Sequence, residues 1–257
     1  MFFTSPVYAG KPLLYDPDID NGDVYWLLIS WGNGTRVHFF RNGTAYLSVY
    51  NFYGTGWTGA KLQQGSMPHS WSQAHPLVFN PTVTPQTDIK IKIRFRVSNV
   101  SFNHELNETW VNVGISLWMQ RPGTNWNGSD SQLEIGLKLF WIKNGEIMSG
   151  LVHFIDADYN DWHSQYDVLN EKLEDVGKWV EAEFNTKNFI ANTLRYWNVK
   201  QAVLRDFDVY IEVKGASGTL EIDYVYAECS GFTDDLYEPF KNLPYAFITL
   251  LMFVFAF

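Results

Sequence analysis

Residues 88–97, DIKIKIRFRV, alternate apolar and charged side chains without a break. Successive side chains of a strand point to opposite faces. Ile89, Ile91, Ile93, Phe95 and Val97 therefore share an inward face, and Lys90, Lys92, Arg94 and Arg96 a wet one. Such alternation marks a half-exposed antiparallel strand. The same period, less cleanly kept, predicts strands at 36–40, 45–53, 110–119, 133–142, 150–155, 178–185, 207–213 and 219–228. Turns are predicted at Arg41-Asn42-Gly43, Lys143-Asn144-Gly145 and Ala216-Ser217-Gly218. Residues 185–203 differ: Phe189, Ile190, Leu194 and Trp197 fall at helical spacing, and Asn185 is placed to cap the start. Many strands and one helix before the last strand pair predict an all-β fold, a two-sheet antiparallel jelly-roll sandwich (concanavalin-like) with one short helix. It is expected to form one domain over residues 1–240.

Composition narrows the function. At 257 residues and 46% hydrophobic content, the chain can bury a substantial core. A net charge of −9 argues against nucleic acid, which calls for a basic stripe. Eleven Trp, fourteen Tyr and nineteen Phe exceed what a core alone usually takes. Either the sandwich is simply rich in aromatics, or some rings stack on a flat ligand. In an acidic protein, sugar faces suit such rings better than phosphates. Cys229 is the single cysteine, so neither an intrachain disulfide nor a cysteine metal site can form. No His-x-x-x-His spacing, Gly-rich phosphate loop or GxSxG elbow occurs. DPDIDNGD (16–23) lacks the closing Glu of a calcium loop and reads as an acidic turn. No metal and no cofactor are expected.

Sequons at Asn33, Asn42, Asn99, Asn107 and Asn127 lean towards an extracellular or surface-attached chain. The start, MFFTSPVYAGK, reads either as the remnant of a secretion signal or as an edge strand. Residues 241–257 form an apolar tail, LPYAFITLLMFVFAF from Leu243 onward, read as a short membrane anchor or, alternatively, a buried last strand.

Carboxylates on strands are the remaining candidates for chemistry. In 207–213, Asp208, Tyr210 and Glu212 share the face opposite Val209 and Ile211. In 133–142, Ile135, Leu137, Leu139 and Trp141 take one face, leaving Glu134, Gly136, Lys138 and Phe140 on the other. Glu134 thus repeats the arrangement of Glu212. For either residue alone, a solvent-facing Glu is the plainer reading. Two carboxylates facing across a cleft, about 5 Å apart, would support glycoside hydrolysis with retention.

The segments NVGISLWM (112–119), LEIGLKLFW (133–141), IEVKGASGTLEIDYVYAEC (211–229) and AYLSVYNFYG (45–54) resemble, in order and spacing, strands of glycoside hydrolase family 12. These are small jelly-roll endoglucanases, and the helix at NTKNFIANTL also sits where that family places its own. The resemblance covers about residues 44–228. It implies Glu134 as nucleophile, Glu212 as acid/base, Tyr53 as a sugar-stacking ring and Asn51 as a hydroxyl partner. Trp57 and Trp118 are further lining candidates. Departures stand at Ser116, where the family has an Asp beside the nucleophile, at Gly136 and Lys138 for its Met and Trp, and at Val213-Lys214 after the acid/base. The strand after Glu134 is about two residues long for the family, and anchoring on its turn would instead put Gly136 at the nucleophile position. Ser116 could hydrogen-bond Glu134, whereas Lys138 would oppose catalysis if it paired with either carboxylate.

The expected function is that of a retaining endo-β-1,4-glucanase, a monomer acting on a β-glucan polysaccharide. The alternatives are a non-catalytic glycan-binding module and a structural cell-surface glycoprotein on the same scaffold.

Overall fold

The computed structural model describes residues 10–232 except 55, 67–74, 127, 129 and 170–172. The expected anchor at 241–257, the leader reading of the first residues and the Asn127 sequon lie outside the described residues. Two sheets pack face to face. The first holds, in spatial order, β13 (Trp179–Asn185), β7 (Asp88–Phe102), β15 (Ala216–Ser230), β4 (Thr44–Tyr50) and β3 (Thr35–Arg41), with β1 (Lys11–Pro12) beside β15. The second runs β11 (Val152–Ile155), β12 (Trp162–Asp167), β9 (Leu133–Lys143), β8 (Trp110–Gln120), β14 (Ala202–Lys214), β5 (Thr58–Gly65) and β2 (Leu27–Gly32). The two-residue strands β6 (Thr82–Val83) and β10 (Glu146–Ile147) pair with β14 and β9. Pairing is antiparallel except for β12, which runs parallel to β9. This is the expected all-β jelly roll, with α2 (Lys187–Tyr196) as its one short helix besides the single turn α1 (Gly22–Tyr25).

The alternation in β7 explains the packing. Ile89, Ile91, Ile93 and Phe95 are almost fully buried against the inner face of the second sheet. On the opposite face, Lys90 and Lys92 pair with Glu183 and Glu181 of β13, and Arg94 and Arg96 with Asp223 and Glu221 of β15. Asn42-Gly43 and Asn144-Gly145 adopt left-handed dihedrals, with φ of +51°, +70°, +52° and +81°. That is the conformation a two-residue hairpin turn requires.

Three local expectations change. The helix is preceded by Thr186 rather than Asn185, which ends β13; the Thr186 hydroxyl accepts from the Ile89 N–H at 2.9 Å instead of capping. The turn expected at 216–218 falls at Gly215, φ +55°, and the flanking strands enter different sheets rather than one hairpin. Between β8 and β9 the register shifts, so that Val113 faces Phe140 while Gly114 faces Lys138. The extra residue reverses the faces beyond it: Phe140 joins the core, and Trp141 turns outward beneath the Lys138 ammonium.

Candidate active site

The outer face of the second sheet should be washed by water, as unpaired faces of antiparallel sheets are. Its middle is instead buried and polar. Read across the strands, one row runs Gly59, Glu212, Asn112 and Trp141, and the next Lys61, Tyr210, Gly114, Lys138 and Asp167. A third runs Gln63, Asp208, Ser116 and Gly136, and a fourth Gly65, Asp206, Trp118, Glu134, His163 and Phe154. Lys61, Gln63, Ser116, Glu134, Lys138, Asp206 and Asp208 are all at most 5% exposed. Trp57 at the β5 end and Phe154 at the β11 end stay exposed. A buried polar floor between open aromatic rims describes a trough.

Glu134 is held from two sides. The Ser116 hydroxyl donates to its Oε1, and His163 Nδ1 meets its Oε2. Burial by itself would push the Glu134 carboxyl up. The His163 charge and the hydrogen bonds from His163 and Ser116 outweigh burial and lower it, with a smaller contribution from Lys61. Burial likewise opposes a charged His163, and the Glu134 carboxylate overrides this and raises the imidazole. A cationic imidazolium partner of this kind keeps a buried carboxylate ionised.

Beside this pair lies a second buried ionic group. Lys61 Nζ donates to Asp208 Oδ2 at 2.7 Å, and Gln63 Nε2 donates to Asp206 Oδ2. Burial would lower Lys61, but Asp208 and then Asp206 hold it up as a cation. Both aspartates are raised, chiefly by burial, Asp206 the more strongly because Asp208 repels it while Lys61 only partly compensates.

Glu212 has a different environment. It is half-buried. Burial first, then the negative charges of Glu134 and Asp208, push its carboxyl up to about 8. Its opening to solvent tempers both the burial contribution and the two repulsions without changing their direction. The Tyr210 hydroxyl, which accepts from Asn112 Nδ2 at 3.3 Å, is raised by burial and by the charges of Glu134, Glu212 and Asp208. It needs Gly114 beneath it: a Cβ there would lie 2.7 Å from the Tyr210 oxygen. Along β8, Glu134 faces Trp118 and Glu212 faces Asn112, six positions apart, and the Glu134 carboxylate reaches back two positions to Ser116.

The other sequence candidates are distributed as follows. Lys138 does not pair with either Glu; its Nζ lies 3.7 Å from Asp167 and over the Trp141 ring. Trp118 packs its ring edge-on to His163, with centroids 5.4 Å apart. Trp57, 52% exposed, meets Trp31 edge-to-face, and Trp31 lies flat against Gly59 next to Glu212. Tyr53, 76% exposed, leans on Phe52. Asn51 is buried and ties its own loop by donating to the Gly56 carbonyl at 2.7 Å. Lys61, Asp206, Asp208, Tyr210 and His163 carried no assigned role in the sequence reading. Asp208 and Tyr210 share Glu212's strand face and were within its reach; His163 left no spacing signal. Among the described residues, no group of three or more His, Cys, Asp or Glu is disposed to hold a metal ion.

No protein-family model and no curated protein matches the chain. Among solved structures, the family 11 xylanase from Neocallimastix patriciarum aligns with a TM-score of 0.52 at 10% identity, over 85% of this chain and 95% of its own. The likeness is one of fold, a two-sheet jelly roll. A family 12 xyloglucanase from Bacillus licheniformis and an endoglucanase from Rhodothermus marinus align more loosely. Both have TM-scores of 0.45 and 13% identity, over 87% and 90% of this chain and 99% and 97% of theirs. The expected assignment to family 12 therefore gives way to a coarser one: a jelly-roll fold like that of the family 11 xylanase.

Proposed function

We propose that the chain is a retaining endo-β-1,4-glucanase, with Glu134 as nucleophile and Glu212 as acid/base. One observation carries this reading. Two carboxyl groups on the same outer sheet face have surroundings that displace them in opposite directions, Glu134 down and Glu212 up to about 8. A carboxylate kept ionised and a carboxylic acid kept protonated on one cleft face are the division of labour that glycoside hydrolysis needs. Glu134 would attack the anomeric carbon and form a glycosyl-enzyme while Glu212 protonates the departing oxygen. Glu212, now a carboxylate, would then deprotonate the incoming water. Trp57 and Tyr53 would offer ring faces to sugar at the rim.

An extracellular setting belongs to the same proposal, supported by the exposed sequon asparagines Asn33, Asn42, Asn99 and Asn107.

The test uses β-1,4-glucan and xylan side by side. Glu134→Gln should keep glucan binding and lose turnover by several orders of magnitude. Glu212→Gln should keep the first step on an activated aryl glucoside, and azide should restore the second. Wild-type protein that binds glucan without turning it over is a binding module, and hydrolysis of xylan alone would replace the substrate.

A further inference from the structure

Resting on that reading of Glu134, we infer that His163 is its positioning residue, an imidazolium that holds the nucleophile ionised and aimed, working with Ser116 where related strands carry an acid. Four observations converge. His163 and Glu134 are direct register partners on the parallel pair β12 and β9, so their side chains leave the sheet on the same side. His163 Nδ1 meets Glu134 Oε2. An ionised carboxylate can only accept, so the shared proton resides on Nδ1. The ring is also locked: Phe154 of β11 stacks on it at 4.5 Å and 4°, and Trp118 of β8 abuts it edge-on. A ring fixed on two sides cannot turn away from Glu134, which is the condition for orienting a reacting group.

The fourth observation concerns the far nitrogen. His163 Nε2 is buried with no hydrogen-bond partner, so among the described residues Glu134 is the hydrogen-bond partner through which the imidazole is held. Beyond Glu134, the charged groups acting on His163 are Asp161, just before β12, and Asp156, in the β11–β12 turn, both acidic. On the Glu134 side the neighbouring cation is Lys61 of β5, bound to Asp208 of β14. Each acidic neighbour favours the cationic ring. A serine can donate one hydrogen bond to the nucleophile but supplies no charge; the cation comes from β12. When Glu134 becomes an ester in the glycosyl-enzyme, it loses its charge and His163 loses its partner, so the imidazolium favours return to the free carboxylate.

The experiment reads His163 directly and through the reaction. In wild type, the His163 ring followed by NMR should titrate above its ordinary value of about 6.5. In Glu134→Gln its midpoint should fall by about one pH unit or more. In His163→Gln, the acid limb of kcat/KM on an aryl glucoside should move up by about one unit, with KM little changed. Activity measured on that limb then falls about tenfold. A ring that titrates at the same pH in wild type and Glu134→Gln overturns the inference, whether or not the protein hydrolyses glucan. So does an acid limb unmoved in His163→Gln while the melting temperature drops, which is the signature of a packing role. Normal coupling in the titration together with no glucan turnover would leave the pair standing and remove the hydrolase reading instead.

Discussion

At the scale of single residues, the trough floor is a set of buried charges, and each is tolerated only through a partner. Lys61 is 3% exposed and bonded to Asp208. Removing one member of a buried ion pair leaves the other uncompensated, at about 3–5 kcal/mol. Lys61→Met should therefore destabilise by that amount in urea unfolding, and Lys61→Met combined with Asp208→Leu should recover most of it. Glu212 follows the opposite logic. Its folded value of about 8 lies above the ordinary 4.5. Between those values the unfolded chain has released the proton and the folded one retains it, so stability falls as pH rises through the window. Glu212→Gln removes that loss. It should be more stable than wild type by about 1–2 kcal/mol at pH 9, a figure discounted for the side chain's contact with solvent. The gain should vanish below about pH 4. Under the proposed function, a substitution that stabilises the fold while ending glucan turnover marks a site held against the interests of the fold.

At the scale of elements, legibility tracked what each strand has to cover. β7 was readable because one face is core and the other carries a row of cations in ion pairs. Its reading has a direct check: Phe95→Ala should cost about 3–5 kcal/mol, measured by thermal or urea unfolding. β5, TGAKLQQG, and β12, WHSQYD, gave no strand signal in the sequence, and β2 was passed over as well. The polar residues of β5 and β12 are largely buried rather than wet, so the contrast that periodicity relies on is erased there. Those silent strands bring Lys61, Gln63 and His163 to the trough. The extra residue between β8 and β9 had a similar effect, because alternation carried through it placed Phe140 and Trp141 on the wrong faces. Local patterning gave way where a polar site had to be built into a sheet, as expected where function and fold compete.

At the scale of the whole molecule, the order of strands in space differs sharply from their order in the chain. β14 lies in the interior of one sheet, between β8 and β5, and β15 in the interior of the other, between β7 and β4. Both come after Gln201, last among the described elements, and the contacts they close span long loops; Ser48 and Thr219 meet across 171 residues of chain. During synthesis, each sheet must wait in two halves whose inner edges have no neighbour. Such edges invite pairing with other chains, and closing loops of this length is slow. A fragment ending at Gln201 should accordingly show no cooperative unfolding transition and should aggregate, while full-length protein refolds on the slow side for its size. Glu212 rides on β14, so under the proposed reading the last described strand pair also brings the acid to the nucleophile. On that reading, the trough offers no chemistry until the molecule around it is finished.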